Sequence, residues 1–368
     1  MVNIILLIVA SIAFIALNIE IFKRVKRYSK SKNLNSFINK FSIFTTYAFI
    51  IFLSYIFIDL VVFKFLGHGY TSDYKQEYIY RAHSPYDMFS GRSNSLDHNS
   101  DGFRGEEFEA AKDKQLSIAF FGGSTGYNGN PPIINLISEK LKSDNIDNII
   151  YNFSSASSNH NQHLHRLLKY SHFKFDVVIF YGGYNETFQT LLADPRPGYP
   201  FNFWIKNELN ELKFMLIKYF SLPAEIDKKM GSISGISKIR KKEKVGTNEW
   251  IEKLLKNYAE TLYTTKKLTN NFIEPNRCNK SFFIAVYQPI SHSKMTHSLL
   301  NEMEKGLSEK IINKTKEMTK KYNYFYDLSN LYEQEMFTDS VHVTDEAKNI
   351  MASELSNIIK KEMLNKCI

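Results

Sequence analysis

Two long uncharged runs, separated by a basic segment, dominate the amino-terminal part of the chain. Residues 2–19 contain no charged side chain, and residues 41–65 contain only Asp59 and Lys64. An α-helix needs about 20 apolar residues to cross a bilayer. The pattern therefore predicts two transmembrane helices. The alternative, a buried helical hairpin, would require a core able to cover helices that are apolar all round.

The segment between the two runs predicts the topology. It carries seven lysine and arginine residues and no acidic residue from Lys23 to Lys40. Basic loops stay on the cytoplasmic side of a membrane. Residues 1–66 are therefore expected to form a membrane anchor with a cytoplasmic loop, and the rest of the chain to lie outside the cytoplasm. A cleavable signal peptide is not expected, because no basic region precedes the first run.

The pattern of hydrophobic and polar residues changes twice after the second uncharged run. Residues 67–115 are polar and rich in turn-forming residues without sustained periodicity, which predicts a stalk and lead-in. From residue 116 onward, segments with helical spacing alternate with five short apolar runs: LSIAFFGG, IIYNFS, DVVIFYGG, SFFIAVYQPI and YNYFYDLS. Such alternation predicts a mostly parallel five-stranded sheet with helices on both faces. The expected fold of residues 116–368 is a three-layer α/β/α sandwich.

A long insertion separates the third and fourth predicted strands. It covers residues 187–280 and includes the amphipathic segment NELNELKFMLIKYF. Long insertions at the active end of a sheet often serve as lids or specificity elements. A packing subdomain is the alternative, and both interpretations stay open at this point.

Composition and charge narrow the class of protein. Hydrophobic residues make up 43% of the 368 residues and aromatic residues 14%, which is enough for one sizeable core. The formal charge of +9 falls to +2 without the seven linker cations, so nucleic acid is not an expected partner. Cys278 and Cys367 are too few for a disulfide framework or a metal knuckle, and whether they pair stays open.

Three segments carry candidate chemistry. Ser124 follows the first strand on the glycine-rich turn GGST, where the backbone can approach a substrate closely. Asp339 and His342 stand three residues apart before the last helical segment, and a serine nucleophile needs such a base with an orienting carboxylate. Asn185 follows the third strand in GGYNE, where a side-chain amide can donate to an oxyanion. Each segment alone is also typical of an ordinary loop.

Taken together and in this order, the segments resemble the SGNH, or GDSL-like, hydrolase superfamily. The resemblance covers residues from about 100 to the carboxyl terminus, and the lead-in HSPYDMF to NSDGFRGEEFEAAK is similar to that of membrane-linked members. It implies a flavodoxin-like sheet, Ser124 as nucleophile, Asp339 and His342 as the rest of the triad, and Asn185 as an oxyanion donor. It also implies that Ser124 supplies a backbone N–H to the oxyanion hole.

The chain departs from the family pattern in three places. The usual Gly-Asp-Ser reads Gly-Gly-Ser, which keeps the nucleophile, and the usual G-x-N-D reads GYNE, which keeps the donor. The block that should contain an oxyanion glycine reads NFSSASSNH and places Ser157 at that position. Serine has a backbone N–H as glycine does, so what matters is whether Ser157 can take the local conformation of glycine.

Polar side chains near these segments are candidates for substrate binding. Tyr184, Asn159 and His160 are predicted to shape the pocket. His160 and His163 share one face of a predicted helix with few acidic residues nearby. This pattern favours a hydrogen-bonded or substrate-facing cluster over a zinc site. No metal and no cofactor are therefore expected.

These features predict a membrane-anchored serine esterase that removes acyl groups, with acetyl as the first choice and envelope glycans as the substrate class. Two alternatives remain open. One is an O-acyltransferase that works with a membrane acyl-donor partner, and the other is a non-catalytic binding or assembly protein on a degenerate scaffold.

Overall fold

The structure is a computed structural model that describes residues 32–57, 81–84, 87–95, 97–188, 241–291 and 302–367, with isolated positions elsewhere. The chain divides into two compact units, residues 1–71 with 215–228 and residues 72–214 with 229–368. The first unit contains helix α1 (Lys32–Phe57). The predicted domain boundaries stay predictions.

The two predicted transmembrane helices are not supported. Among the described residues, no helix combines the length and the apolar character that crossing a membrane requires. Helix α1 covers most of the second predicted span, and nearly all of residues 2–19 lie outside the described part of the chain.

The second unit opens with a small antiparallel hairpin that the sequence did not predict. Strand β1 (Arg81–Ser84) pairs with β2 (Met88–Gly91). The hairpin lies in the segment predicted as an irregular stalk and lead-in. Its strands of four residues are too short for an alternating pattern to stand out from the surrounding polar sequence.

A five-stranded parallel sheet forms the centre of the second unit, as predicted. Its strands are β3 (Leu116–Gly122), β4 (Asn148–Asn152), β5 (Val177–Gly182), β6 (Phe282–Tyr287) and β7 (Phe325–Asp327). Their order across the sheet is β4-β3-β5-β6-β7, and every neighbouring pair is parallel. Because all strands run the same way, the loops after their carboxyl ends meet at one edge of the sheet.

Alternate residues of the strands enter two separate cores. Phe121, Phe180 and Phe283 point to one face, whereas Phe120 and Ile179 point to the other. All of these side chains are buried. Burial on both faces explains why the strands are apolar throughout rather than alternating between apolar and polar residues.

Helices cover both faces and complete the predicted three-layer sandwich. In chain order the other α-helices of the described residues are α2 (Ser124–Tyr127), α3 (Ile133–Ser143), α4 (His160–Lys169), α5 (Tyr184–Thr187), α6 (Asn248–Phe272), α7 (Glu302–Thr319) and α8 (Asp345–Lys366). Helices α4, α6 and α7 supply side chains to one core, and α3 and α8 supply the other.

Part of the predicted insertion belongs to the core. Helix α6 places Trp250, Ile251 and Leu254 in the same buried cluster as strands β5 and β6. The carboxyl-terminal part of residues 187–280 is therefore a packing layer. Residues 198–240, including the amphipathic segment, lie outside the described residues.

The two cysteines form a disulfide. Cys278 lies shortly before β6 and Cys367 follows α8, so the bond ties the end of the chain to the amino-terminal edge of the sheet. This settles the pairing that the sequence left open. The bond lies at the opposite end of the strands from their carboxyl-terminal loops.

Candidate active site

Ser124 stands directly after the carboxyl end of β3. It opens the four-residue helix α2, and Gly123 precedes it as the helix cap. A Cβ atom on Gly123 would lie 2.3 Å from Nδ2 of Asn185, so a side chain there would displace the Asn185 amide from its present position. The close approach brings the serine next to the loop that follows β5. The backbone N–H of Ser124 belongs to the first turn, where helices provide no internal acceptor.

His342 and Asp339 reach Ser124 from a tight loop near the carboxyl terminus. Nε2 of His342 lies 2.8 Å from Oγ of Ser124, and Nδ1 lies 2.6 Å from Oδ2 of Asp339. The structure thus brings together three side chains that the sequence singled out, two of them 218 positions apart. Their order, carboxylate to imidazole to hydroxyl, is the one that activates a serine nucleophile.

The local sequence folds this loop onto itself. Oδ1 of Asp339 accepts the backbone N–H groups of Val341 and His342, each at 2.8 Å. The N–H of Thr338 donates to the carbonyl oxygen of His342 at 2.8 Å. These bonds orient both carboxylate oxygens, one toward the loop and the other toward the imidazole. The D-x-x-H spacing is therefore a local structural unit as well as a pair of reactive groups.

The Asp339 carboxylate is held in its charged form. Partial burial acts to raise its pKa, but hydrogen bonds from His342 and from the Val341 backbone lower it more, so the net shift is downward. The side chains of His342 and Asp339 are 33% and 52% exposed. Solvent can therefore reach the imidazole that would act as the base.

The side-chain amide of Asn185 lies between the loop after β4 and the residue before Ser124. Its Nδ2 atom donates to the carbonyl oxygen of Ser158 at 2.7 Å. An amide nitrogen carries two hydrogens, so this bond fixes the orientation of the amide while one hydrogen remains to donate. The same nitrogen lies against Gly123, next to Ser124.

Ser157 adopts the conformation that glycine would take. Its φ angle is +63°, in the left-handed region that most side chains avoid. It lies in the loop between β4 and α4, where Ser155 N donates to the carbonyl oxygen of Gly122 at 3.0 Å. The replacement of glycine by serine is thus compatible with the turn that the family pattern requires.

The lead-in segment holds the turn that carries Ser124. Nη1 of Arg104 donates to the carbonyl oxygens of Tyr127 and Gly129, and the hydroxyl of Tyr127 lies 2.6 Å from Nε2 of His98. These contacts fix the end of helix α2. The residue pattern predicts a stalk and lead-in here, but nothing in it indicates which backbone carbonyls Arg104 would bind.

Two of the three predicted substrate-binding residues are interior residues. Asn159 is 3% exposed and caps α4 in a capping box with Gln162, and His160 is 1% exposed. The prediction that they contact substrate is not supported, because their polar atoms face the protein interior. Tyr184 is half-buried with its hydroxyl 3.3 Å from Oγ of Ser340, and so lies beside the Asp339 loop.

Glu186 joins the histidine cluster that the sequence indicated. His160, His163 and Glu186 have ligand-type atoms within 4.8 Å of one another, close enough to hold a metal ion. Each is already hydrogen bonded, and the nearby positive charge of Arg166 helps to lower the pKa of His163, after burial and His160. A second cation beside Arg166 is disfavoured. The expectation of no metal stays a prediction.

Solved structures similar to this chain include esterases and lipases. A GDSL-like lipase from Bacteroides thetaiotaomicron is 10% identical with a TM-score of 0.39, over 69% of this chain and 93% of that one. An acetylxylan esterase from Geobacillus stearothermophilus is 12% identical with a TM-score of 0.35, over 67% and 95%. No protein-family model matches the sequence, and no curated protein matches it.

In the order and placement of its motif residues, the chain resembles the SGNH hydrolases. The resemblance rests on Ser124 after the first strand of the sheet, Asn185 after the third, and the late pair Asp339 and His342. The identities and TM-scores of the solved structures assign neither an activity nor a substrate to this chain.

Proposed function

We propose that this protein is a serine hydrolase of acyl esters. The observation that carries the proposal is the continuous hydrogen-bonded series from Asp339 through His342 to Ser124, with distances of 2.6 and 2.8 Å. A serine hydroxyl is a weak nucleophile by itself and becomes reactive when an oriented imidazole removes its proton. Asn185 beside Gly123 adds an oxyanion donor at the same point.

The proposed reaction has two steps. His342 takes the proton of Ser124 while Oγ attacks the ester carbonyl, and the backbone N–H groups of Ser124 and Ser157 with the amide of Asn185 bind the oxyanion. His342 then gives its proton to the departing alcohol. Water enters, loses a proton to His342 and attacks the acyl carbonyl. His342 returns this proton to Oγ of Ser124 as the acid leaves.

Water is the proposed acceptor because the base is open to solvent. His342 exposes 33% of its side chain. An O-acyltransferase that works with a membrane acyl donor is the alternative that the same triad allows. Comparing acetate release with acetyl transfer to a glycan acceptor distinguishes the two reactions.

We propose acetyl esters of envelope glycans as the substrate class. Polar side chains beside the triad support a polar alcohol: Thr125 follows Ser124, and the hydroxyl groups of Tyr184 and Ser340 lie 3.3 Å apart next to Asp339. Hydroxyl groups of this kind hydrogen-bond to sugars more readily than to lipid chains. A panel of acetylated oligosaccharides and longer-chain esters tests the preference.

We further propose that the hydrolase works outside the cytoplasm, attached to the membrane through residues 1–66. The seven cations between Lys23 and Lys40 support this topology, and the Cys278–Cys367 disulfide supports an oxidising compartment. Alkaline carbonate extraction of cell membranes tests attachment. Protease treatment of intact cells or spheroplasts tests which side the hydrolase occupies.

Active-site labelling tests the proposed chemistry. A fluorophosphonate that reacts with activated serines should label the wild-type protein and fail to label Ser124→Ala and His342→Ala. Ser171→Ala, which removes an exposed serine just beyond the carboxyl end of α4, should label normally. Undiminished labelling or ester hydrolysis by Ser124→Ala would refute the proposal. A wild-type protein that is neither labelled nor active would also refute it and would favour a non-catalytic binding role.

A further inference from the structure

Glu186 connects two segments that carry proposed oxyanion donors. Its Oε2 atom accepts the backbone N–H of Gly183 at 2.6 Å, and its Oε1 atom accepts the backbone N–H of His160 at 2.8 Å. Gly183 begins the turn that holds Asn185, and His160 follows the loop that holds Ser157. One buried carboxyl group therefore holds both segments.

Two buried histidines extend this connection. Nδ1 of His160 lies 3.1 Å from Oε1 of Glu186 and 3.0 Å from Nδ1 of His163. Nε2 of His163 lies 3.0 Å from Oγ of Ser158. Burial lowers the pKa of His160 to about 3 and also lowers that of His163, so both imidazoles are neutral at physiological pH.

The hydrogen-bond partners assign the protons. Oγ of Ser158 lies 2.6 Å from the carbonyl oxygen of Ser155, to which it donates, and it accepts from Arg166 at 3.2 Å. His163 then donates from Nε2 to Ser158 and accepts at Nδ1 from the Nδ1–H of His160. One neutral tautomer of each ring thus accounts for these contacts. Oε1 of Glu186 shares the Nδ1–H of His160, and Nε2 of His160 has no partner among the described residues.

The bonds close into a ring around Asn185. The carbonyl oxygen of Ser158 accepts from the Asn185 amide at 2.7 Å. From Ser158 the contacts lead through His163 and His160 to Glu186 and the N–H of Gly183, two residues before Asn185. Displacing Glu186 would therefore loosen both the turn that carries Asn185 and the carbonyl group that orients its amide.

We propose that Glu186, acting through this ring, is a positioning residue that holds Asn185 and the Ser157 turn in the geometry of the oxyanion hole. The inference rests on the proposed function. A buried carboxyl group is an unfavourable choice for stability alone, because burial penalises its charged form. A role in holding the segments of Asn185 and Ser157 explains why a carboxyl group is nevertheless buried at this position.

The test is the substitution Glu186→Gln, which keeps the size of the side chain. Its NH₂ group cannot accept, so one of the two backbone N–H bonds is lost. The expected result is a kcat for acetyl-ester hydrolysis about 10-fold to 100-fold lower, with KM within about 3-fold of wild type. Glu362→Gln is the matched control, because Glu362 is a hydrogen-bonded carboxylate on α8 away from the site, and it should keep wild-type kcat.

A double-mutant cycle separates positioning from a general loss of structure. If Glu186 acts through Asn185, adding Glu186→Gln to Asn185→Ala should lower kcat by less than about 3-fold further. If the double variant instead lost kcat by the full product of the two single-variant factors, the two residues would act independently and the proposal would be overturned. A Glu186→Gln protein whose kcat equals that of wild type while it is fully folded would also overturn it.

A crystallographic measurement distinguishes failure of this inference from failure of the proposed function. If wild type is neither labelled by the phosphonate nor active, the proposed function fails, and crystal structures of the full-length wild type and Glu186→Gln still test the ring. An Asn185 amide displaced from Ser158 in the variant supports positioning. An unchanged Asn185–Ser158 bond, or a stoichiometric metal ion between His160 and His163 in wild type, overturns it.

Discussion

The side-chain nitrogen of Asn185 lies 2.7 Å from the carbonyl oxygen of Ser158. This bond joins the loop after β5 to the loop after β4, on either side of the strand that delivers Ser124. Parallel strand order alone brings the loops to one edge of the sheet, but the bond determines which hydrogen of the amide faces the nucleophile. The geometry of the proposed oxyanion hole therefore depends on a contact between loops.

Removing the amide should slow turnover without weakening substrate binding. We expect Asn185→Ala to lower kcat for acetyl esters by about 100-fold or more, with KM within about 3-fold. The reason is that the oxyanion is absent from the bound substrate and develops only in the transition state. Asn349→Ala, on the exposed side of α8, should have wild-type kinetics. A large rise in KM with unchanged kcat would instead indicate a role in binding substrate.

Replacing Asp339 by asparagine should leave the loop folded but place the proton of the neutral His342 ring on Nε2. In that tautomer the ring cannot accept the proton of Ser124. The amide oxygen can still accept from Val341 and His342, so its NH₂ group would face Nδ1 of His342. We expect kcat to fall on the order of 1,000-fold or more. Steady-state kinetics with Asp345→Asn as control measures this, and a decrease below 10-fold would argue against a triad.

The left-handed conformation of Ser157 gives opposite expectations for two substitutions. Glycine adopts φ near +63° without strain and keeps the backbone N–H, so Ser157→Gly should retain kcat within about 3-fold and stability within about 1 kcal/mol. A β-branched residue is strained there, and Ser157→Val should be about 1–2 kcal/mol less stable and less active. Urea unfolding and kinetics on both variants test the pair.

Glu186 should make stability depend on pH. Burial raises its pKa to about 7, although backbone N–H groups oppose the shift, and the groups that face it are His160, Tyr258 and Tyr287. The folded state then keeps the proton while the unfolded chain ionises. Stability is therefore fully present below about pH 4.5 and decreases until about pH 7, by on the order of 3 kcal/mol.

The difference between wild type and Glu186→Gln isolates this contribution. The variant cannot ionise, so its free energy of unfolding should fall less than that of wild type between pH 5 and pH 7.5. Denaturant titrations at several pH values provide the comparison. Parallel curves for the two proteins would contradict the raised pKa.

The disulfide should stabilise the domain without affecting catalysis. Cys278 and Cys367 are 89 positions apart, and closing a loop of that length in the unfolded chain contributes about 2–4 kcal/mol. The bond lies at the amino-terminal edge of the sheet, away from Ser124. Cys278→Ser with Cys367→Ser should therefore unfold at lower denaturant concentration and retain wild-type kcat at 25 °C, and a matching loss of kcat would show coupling to the site.

Local sequence patterns predict most of the sheet and its covering helices. The five strands are apolar on both faces because both faces are buried, so each run stands out from its polar neighbours. Helix α7 and the hairpin of β1 and β2 were not predicted. Gly306 weakens the helical signal in α7, and four-residue strands show too few alternations to be recognised.

The candidate site residues could also be predicted from the sequence, because each belongs to a short motif beside a strand or helix. Asp339 and His342 form one local loop, and Ser124 and Asn185 each follow a strand. The contact between Ser124 and His342 depends on the order of the strands, which places Oγ of Ser124 2.8 Å from Nε2 of a histidine 218 positions away.

Only the tertiary structure decided which polar residues are buried. Asn159 and His160 look like pocket residues in the sequence, yet they lie inside, and Glu186 emerges as the partner of His160. The physical reason is that residue spacing along a helix or strand determines local structure, whereas burial and hydrogen bonding between distant segments depend on how the layers pack.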